Sequence, residues 1–449
     1  MLLTGSRILV LSAVLFLLPI ASMANMQQVA LQEAFRLALK QNPKLVAMGN
    51  SSEAAEEREG SAKSHLRPTV TLEERYMRTD NPTYAFSSKL NQSRFEASDF
   101  AIDSLNEPED IDDFMTIVSF SQPLYSREAH LGVRIARNQS ETAVLDYERT
   151  REKVLLDVIE AYIGGNSARQ YRTAAEMGLE DANAHLRIAR SRVDAGLGLE
   201  SDLLRAEVSL RESEERLVSA QKNVSLANRS LGLILGLRGP VEAADETVPM
   251  PELEPLEHYE EAAMGRKDLL SMARKVSNAK LNVSLSSARF SPTVGLGGSY
   301  QINSHEAPFD SEGNSYQVSA FIRWDLYSGG LKGHATSDAR YGLLEAEAWY
   351  DGLVKEIIFR VNEAYLNVEE ASRSSELASS RLSLANETAR LMEKRFENSL
   401  ATVVELLDAQ TSLDTARADH VAKTNSYLIS MARLMFQSGL IEQAYLAEN

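Results

Sequence analysis

Gln122-Pro123-Leu124-Tyr125 and Trp324-Asp325-Leu326-Tyr327 are one passage written twice. Leu124-Tyr125 returns as Leu326-Tyr327 at an offset of 202 residues. Around it, Ala161-Tyr162 returns as Ala364-Tyr365, Asp202-Leu203-Leu204 as Glu405-Leu406-Leu407, and Gly236 as Gly439, each at an offset of 203. A near-constant offset over so long a span is an internal duplication, which constrains architecture before any single motif does. Each copy reads as strand, strand, very long helix, shorter helix.

The helices carry coiled-coil spacing. From Val154 to Val193 apolar or small residues recur four and three apart: Val154, Val158, Ala161, Gly165, Ala168, Ala175, Leu179, Ala182, Leu186, Ala189, Val193, with Arg172 the exception. The second copy repeats the alanine ladder as Ala364, Ala371, Ala378 and Ala385. A strict seven-residue repeat makes a seam that faces a partner helix, and alanine there lets the axes approach. The next helix has the complementary spacing at Leu203, Ala206, Leu210, Ser213, Leu217, Ala220, Val224, Ala227 and Leu231, copied as Leu406, Ala409, Leu413 and Ala416 before His420 and Lys423 turn it polar. The turns between helices are Asp194-Ala195-Gly196-Leu197-Gly198 and Glu397-Asn398-Ser399-Leu400-Ala401. Glycine is the usual helix stop, so Ser399 predicts a stiffer or differently shaped second turn.

These signals predict long helices over about 127–195 and 331–397, with return helices over about 200–237 and 401–438. The first long helix would measure ~100 Å and its return only ~57 Å at 1.5 Å per residue. A helix over about 43–66 matches the missing length. It is expected to stack end to end with the return helix, and one over about 266–290 does the same in the second copy.

Ser315 to Leu326 alternates: Tyr316, Val318, Ala320, Ile322, Trp324 and Leu326 against Gln317, Ser319, Arg323 and Asp325, with Phe321 breaking the pattern. Val294, Leu296, Tyr300 and Ile302 alternate in the preceding strand, Val70, Leu72 and Tyr76 in the first hairpin, and Phe114, Val118 and Phe120 in its partner. Period-two alternation fits a transmembrane barrel strand and equally a half-buried soluble sheet. Tyr125, Trp324 and Tyr327, clustered where strands meet long helices, have the placement of membrane-interface aromatics. Four strands cannot enclose a lumen and an open edge is forbidden in lipid, so three copies sharing twelve strands is the expected solution. The hairpins, about 69–124 and 293–327, differ in their connections. That over about 80–113 is long and acidic and reads as a solvated lid, with a binding role as the alternative; that over about 304–314 is short.

The N-terminus has Arg7, an apolar run from Ile8 to Ile20, and Ser22-Met23-Ala24, the pattern of a signal peptide over 1–24. The chain has no cysteine, which excludes disulfides and thiol chemistry. Its net charge of −17 argues against nucleic acid as a partner. The seven histidines are scattered without ligand spacing, and Gly329-Gly330-Leu331-Lys332-Gly333 lacks the spacing of a phosphate loop, so no enzyme, metal or cofactor is expected.

Val29-Ala30-Leu31-Gln32-Glu33-Ala34-Phe35-Arg36-Leu37-Ala38-Leu39-Lys40-Gln41-Asn42-Pro43 resembles the opening signature of the TolC-like outer-membrane efflux protein family. Arg67-Pro68-Thr69-Val70 with its copy Ser291-Pro292-Thr293-Val294, and the two strand-to-helix passages quoted first, extend the resemblance over about 29–440. It implies a homotrimer: a twelve-stranded barrel in outer-membrane lipid continuing into a twelve-helix periplasmic tube. The repeats would be 25–237 and 266–440, with an equatorial linker over 238–265 and a tail over 441–449. Partners would be a periplasmic adaptor (a membrane fusion protein) and an inner-membrane transporter, with docking at the turns Gly196, Gly198, Ser399, Leu400 and Ala401. The cargo is left open.

The family's iris carries lumen-facing acids at the start of the last helix, which match Glu405 and Asp408. Three copies would form two stacked anionic rings, favouring cations. The same acids also suit an ordinary helix N-terminus. Asp202 matches an acid of the family's resting lock, but Phe396 and Ala401 stand where its tyrosine and arginine would be, so that network is not carried over. Arg205 is the nearby candidate for a substitute. The alternative reading of the whole chain is a periplasmic coiled-coil adaptor.

Overall fold

A computed structural model describes residues 28–446; the expected signal peptide lies outside them. In chain order the elements are β1 (Gln28–Val29), α1 (Leu31–Gln41), α2 (Pro43–Ser64), β2 (Thr69–Thr79), α3 (Pro82–Asn91), α4 (Ile102–Asn106), β3 (Ile111–Tyr125), α5 (Arg127–Asp194), α6 (Glu200–Ile234), β4 (Glu242–Ala243), α7 (Leu256–Ala263), α8 (Lys267–Ala288), β5 (Thr293–Ser304), β6 (Gly313–Arg323), α9 (Leu331–Glu397), α10 (Val403–Ser438) and α11 (Ile441–Tyr445). Among the described residues no helix is long and apolar enough to cross a membrane.

α6 buries Ala206, Leu210, Ser213, Ala220 and Leu231, and α10 buries Leu406, Ala409, Leu413 and Ala416, as their spacing predicts. α5 departs from expectation in its lower half. There the buried positions are Gly178, Ala182, His185 and Ala189, while Leu179 and Leu186 stay half-buried. The reason is that α5 serves two neighbours, α6 and α10. One stripe cannot face both.

The end-to-end stacks form. Asn42 Nδ2 donates to Ile234 O at 2.8 Å, and its Oδ1 caps α2 through Lys44 N at 2.9 Å. Gly236, at φ +76°, lies so close to Gln41 O that a Cβ would collide with it. Its copy Gly439 has the same φ. There Arg266 Nη1 donates to Gln437 O at 2.9 Å, tying the start of α8 to the end of α10.

The largest core sits at this level. Phe35, Leu155, Ile159, Tyr162, Ile163, Leu231, Tyr259, Met431 and Leu434 are almost wholly buried there. α1, α7, α11 and the parallel pair β1–β4 wrap the long helices into a belt. Glu246 Oε1 receives both Leu31 N at 2.6 Å, at the start of α1, and the Tyr162 hydroxyl at 2.9 Å.

The sheet has four strands in the order β2-β3-β5-β6, antiparallel throughout. β2 and β6 are open edges. The exception Phe321 has a structural reason: its ring lies over Gly295, where a Cβ would come within 2.6 Å of it. The connection between β2 and β3 is not a simple solvated loop. It holds α3, a short 3-10 turn over Ala97–Phe100 and α4, and β3 already begins at Ile111, so Ile111, Asp112 and Asp113 belong to the strand.

Candidate functional site

The site expected from the sequence is the tip where α5 turns into α6 and α9 into α10. The first turn closes with Gly196 N to Val193 O at 2.9 Å and Leu197 N to Arg192 O at 2.8 Å. The second closes with Ser399 N to Phe396 O at 3.0 Å and Leu400 N to Arg395 O at 2.7 Å. Gly196 stands at φ +68° and Ser399 at φ +62°. The second turn therefore has the same shape as the first, so of the two expected differences the one in shape is absent; two backbone bonds outweigh the left-handed strain of a residue with a Cβ. That strain is about 1 kcal/mol. Leu197 and Leu400 hold equivalent positions, and both side chains are exposed at the tips.

Glu405 is tied down locally. Its Oε2 receives Thr402 N at 2.7 Å and Thr402 Oγ1 at 2.9 Å, while Thr402 Oγ1 receives Glu405 N at 3.2 Å. This is a reciprocal capping box. The Thr402 backbone N–H, then its hydroxyl, hold the exposed Glu405 carboxyl below its ordinary value. Asp408 lies one turn on, in a groove between α6 and α10 that Arg205, Leu204, Val208, Leu407 and Thr411 also line. Asp202 sits in the first turn of α6. Arg205 is exposed, and among the described residues no hydrogen bond or ion pair joins it to Asp202 or Asp408.

The contact across the two tips belongs to Arg192 instead. Arg192 Nη1 donates to Phe396 O at 2.6 Å and Nη2 to Ser399 Oγ at 3.3 Å. Its guanidinium also stacks 4.6 Å from the centre of the Phe396 ring. Phe396, Val403 and Leu406 form a small core beneath it. The sequence placed Arg192 at the end of a helix, where a base is unremarkable, so nothing marked its reach to the other tip.

Further up, α5, α6 and α10 share a polar cluster that sequence reading missed. Gln410 Nε2 donates to Asp181 Oδ2 at 2.9 Å and Asp414 Oδ1 at 3.0 Å. Arg417 Nη1 reaches Asp181 Oδ2 at 2.8 Å, and Arg216 Nη2 reaches Asp414 Oδ2 at 3.3 Å. Gly178 leaves the room: a Cβ there would stand 3.2 Å from Asp414 Oδ1. Burial raises the Asp414 pKa and Asp181 adds to the rise, against the opposing pull of Gln410, Arg216 and Arg417. His185 is buried beside Asp181, and burial lowers its pKa. The signal available was Gln410, Asp414 and Arg417, spaced four and three apart beside the apolar seam.

At the other end, Trp324 lies just past β6 and its Nε1 donates to Phe290 O at 3.0 Å, fastening the strand to the end of α8. Tyr125 ends β3 beyond an irregularity in pairing at Pro123, and Tyr327 follows in the passage to α9; all three rings are exposed. The hairpin face carrying Val70, Leu72, Tyr76, Tyr316, Val318 and Ile322 is exposed as well.

Comparison with known proteins agrees with this architecture. The profile of the family described as Outer membrane efflux protein matches residues 34–237 and 258–440. The chain is similar to the alkaline protease secretion protein AprF of Pseudomonas aeruginosa, at 23% identity over 92% of this chain and 85% of that one. It is similar also to the outer membrane protein TolC of Vibrio cholerae, at 24% identity over 92% of this chain and 91% of that one. The solved CmeC outer membrane channel of Campylobacter jejuni has the same fold, with a TM-score of 0.76 at 16% identity over 93% of this chain and 87% of that one. A duplicated, mainly helical chain with a four-stranded sheet, matched by that profile over most of its length, belongs to the outer membrane efflux protein family: it is an outer-membrane exit duct of the efflux or secretion type, with its helices on the periplasmic side.

Proposed function

We propose that three copies of this chain make one duct, gated at the helix tips. The observation that carries the reading is the four-stranded sheet with open edges at β2 and β6 and an exposed apolar face. In lipid such edges must be paired, and pairing β6 of one copy with β2 of the next closes twelve strands into a barrel. Exposed apolar residues recur down the helices in the same manner. Leu377, Leu384 and Leu391 stand seven apart on α9, with Leu204, Val218, Leu226 and Leu233 on α6. A neighbouring copy is the partner such stripes fit.

In the closed state Arg192, rather than Arg205, holds the two tips of each chain together. Glu405 and Asp408 of three copies ring the narrowest point. The exposed Leu197 and Leu400, with Gly196, Gly198, Ser399 and Ala401 around them, are the docking surface for a periplasmic adaptor joined to an inner-membrane transporter. The adaptor opens the gate by binding the open tips more tightly than the closed ones.

Planar-bilayer recording under unequal salt tests the gate. Glu405→Gln with Asp408→Asn removes both charges while glutamine keeps the capping box. Cation preference should fall; an unchanged reversal potential rejects the assignment. Cross-linking and gel mobility of the purified protein test the trimer, and a monomer in membranes would reject it.

A further inference from the structure

The insertion between β2 and β3 is built around one buried carboxylate. Asp113, 4% exposed, accepts from Ser88 Oγ at 3.2 Å, Gln92 Nε2 at 2.9 Å and Asn303 Nδ2 at 2.9 Å. Gln92 Nε2 donates also to Asp112 O at 2.8 Å. Ser88, Gln92 and Asn303 are all buried. Thus α3 and the residue after it are fastened to β3 and β5 by side chains placed for the purpose.

Register tells which face they occupy. Met115 pairs with Asn303, and Asn303 with Gly313. Successive side chains alternate between faces, so Asp113, Asn303 and Gly313 share one. That face also carries Ser119, Ser299 and Gln317, whereas Val118, Tyr300 and Val318 point the other way. A Cβ on Gly313 would run into Asn91 O at the end of α3. α3 therefore lies across the polar face, at the end of the sheet farthest from the long helices.

We propose that residues 80–110 are a plug seated inside the outer mouth of the duct, a second constriction that limits the size of what leaves. The proposal rests on the reading that the polar face lines the lumen. Leu90, on the side of α3 opposite Ser88, stays half exposed, and Phe100 and Ile102 are exposed too. In a trimer three such insertions converge, and these side chains are what each offers the others. Residues 80–113 hold nine acids and two bases, so the narrowing is anionic as well.

The chain has no cysteine, so a single introduced thiol reports alone. Gln317→Cys marks the polar face below the plug and Val318→Cys the apolar face. Intact cells bearing the full-length protein are treated from outside with a small charged maleimide or a polymer-tethered one. Gln317→Cys should react with the small reagent and about tenfold more slowly with the bulky one. Replacing residues 82–109 by a short Gly-Ser turn should remove that difference, and so should Asp113→Ala, which leaves Ser88, Gln92 and Asn303 without their acceptor. The second variant carries the test if the first fails to assemble. Equal labelling by both reagents in the unaltered insertion overturns the plug. Val318→Cys labelled as fast as Gln317→Cys overturns the barrel reading, and the plug with it.

Discussion

Ser399 and Arg192 are the residues at the tip where small changes should read out clearly. Ser399 holds a left-handed backbone that its copy assigns to Gly196. Ser399→Gly should stabilise the turn by about 1 kcal/mol, seen as a raised melting temperature and slower amide exchange at Leu400. Arg192 spans the two tips through a charged bond to Phe396 O and a ring contact. Removing a charge-assisted bond of this kind costs about 1.5–3 kcal/mol. Arg192→Ala should therefore raise the resting conductance of single channels, while Arg205→Ala should leave it nearly unchanged. Equal effects of the two would return the role to Arg205.

Among the elements, the α5–α6–α10 cluster gives the tube a dependence on pH. The Asp414 carboxyl has a folded pKa above its unfolded one, near 3.9, because burial disfavours its charge. Between those two values the folded chain binds the extra proton, so stability rises as pH falls through the folded value and the gain is complete below the unfolded one. His185, whose pKa burial lowers, works the other way, because the unfolded chain takes up that proton first as pH falls. The Asp414 share is therefore read by difference, and Asp414→Asn should lose the gain in acid that the parent chain keeps. Amide exchange along α10 at several pH values measures it. The elements themselves were largely legible beforehand. Strict spacing carried α6 and α10, and the duplication carried both hairpins. The belt was legible only through the family resemblance, which placed it in the equatorial linker and the chain ends; the residues alone did not mark it, since α1, α7, α11 and β1–β4 are short and gain their burial only from distant partners. The polar cluster escaped for a related reason: Gly178 and Asp414 are 236 positions apart, and each alone looks like helix surface.

Across the whole molecule, the two faces of the sheet should tolerate charge very differently. Val318→Arg puts a guanidinium on the apolar side, where a transmembrane barrel loses about 2–4 kcal/mol near the bilayer midplane. Gln317→Arg, its neighbour on the polar side, should be nearly neutral. Recovery of assembled protein from outer membranes compares them, and parity between the two would mean that this face never meets lipid. The duplication made the four strands legible, but not the seat of α3: alternation says which residues share a face, whereas covering that face depends on Asp113 meeting Asn303 across two strands.

The pinned junctions of the two helical stacks have a mechanical consequence. α5 and α9 run unbroken past the equator, while α6 meets α2, and α10 meets α8, at interrupted joints fastened by Asn42 and Arg266. A load applied at the bottom should pass up the continuous shafts directly, whereas in the return rods it must cross a joint held by a few side-chain bonds. In the trimer proposed above, dilation should therefore be confined to the entrance at the tips, while the strands keep their pairing at the bilayer.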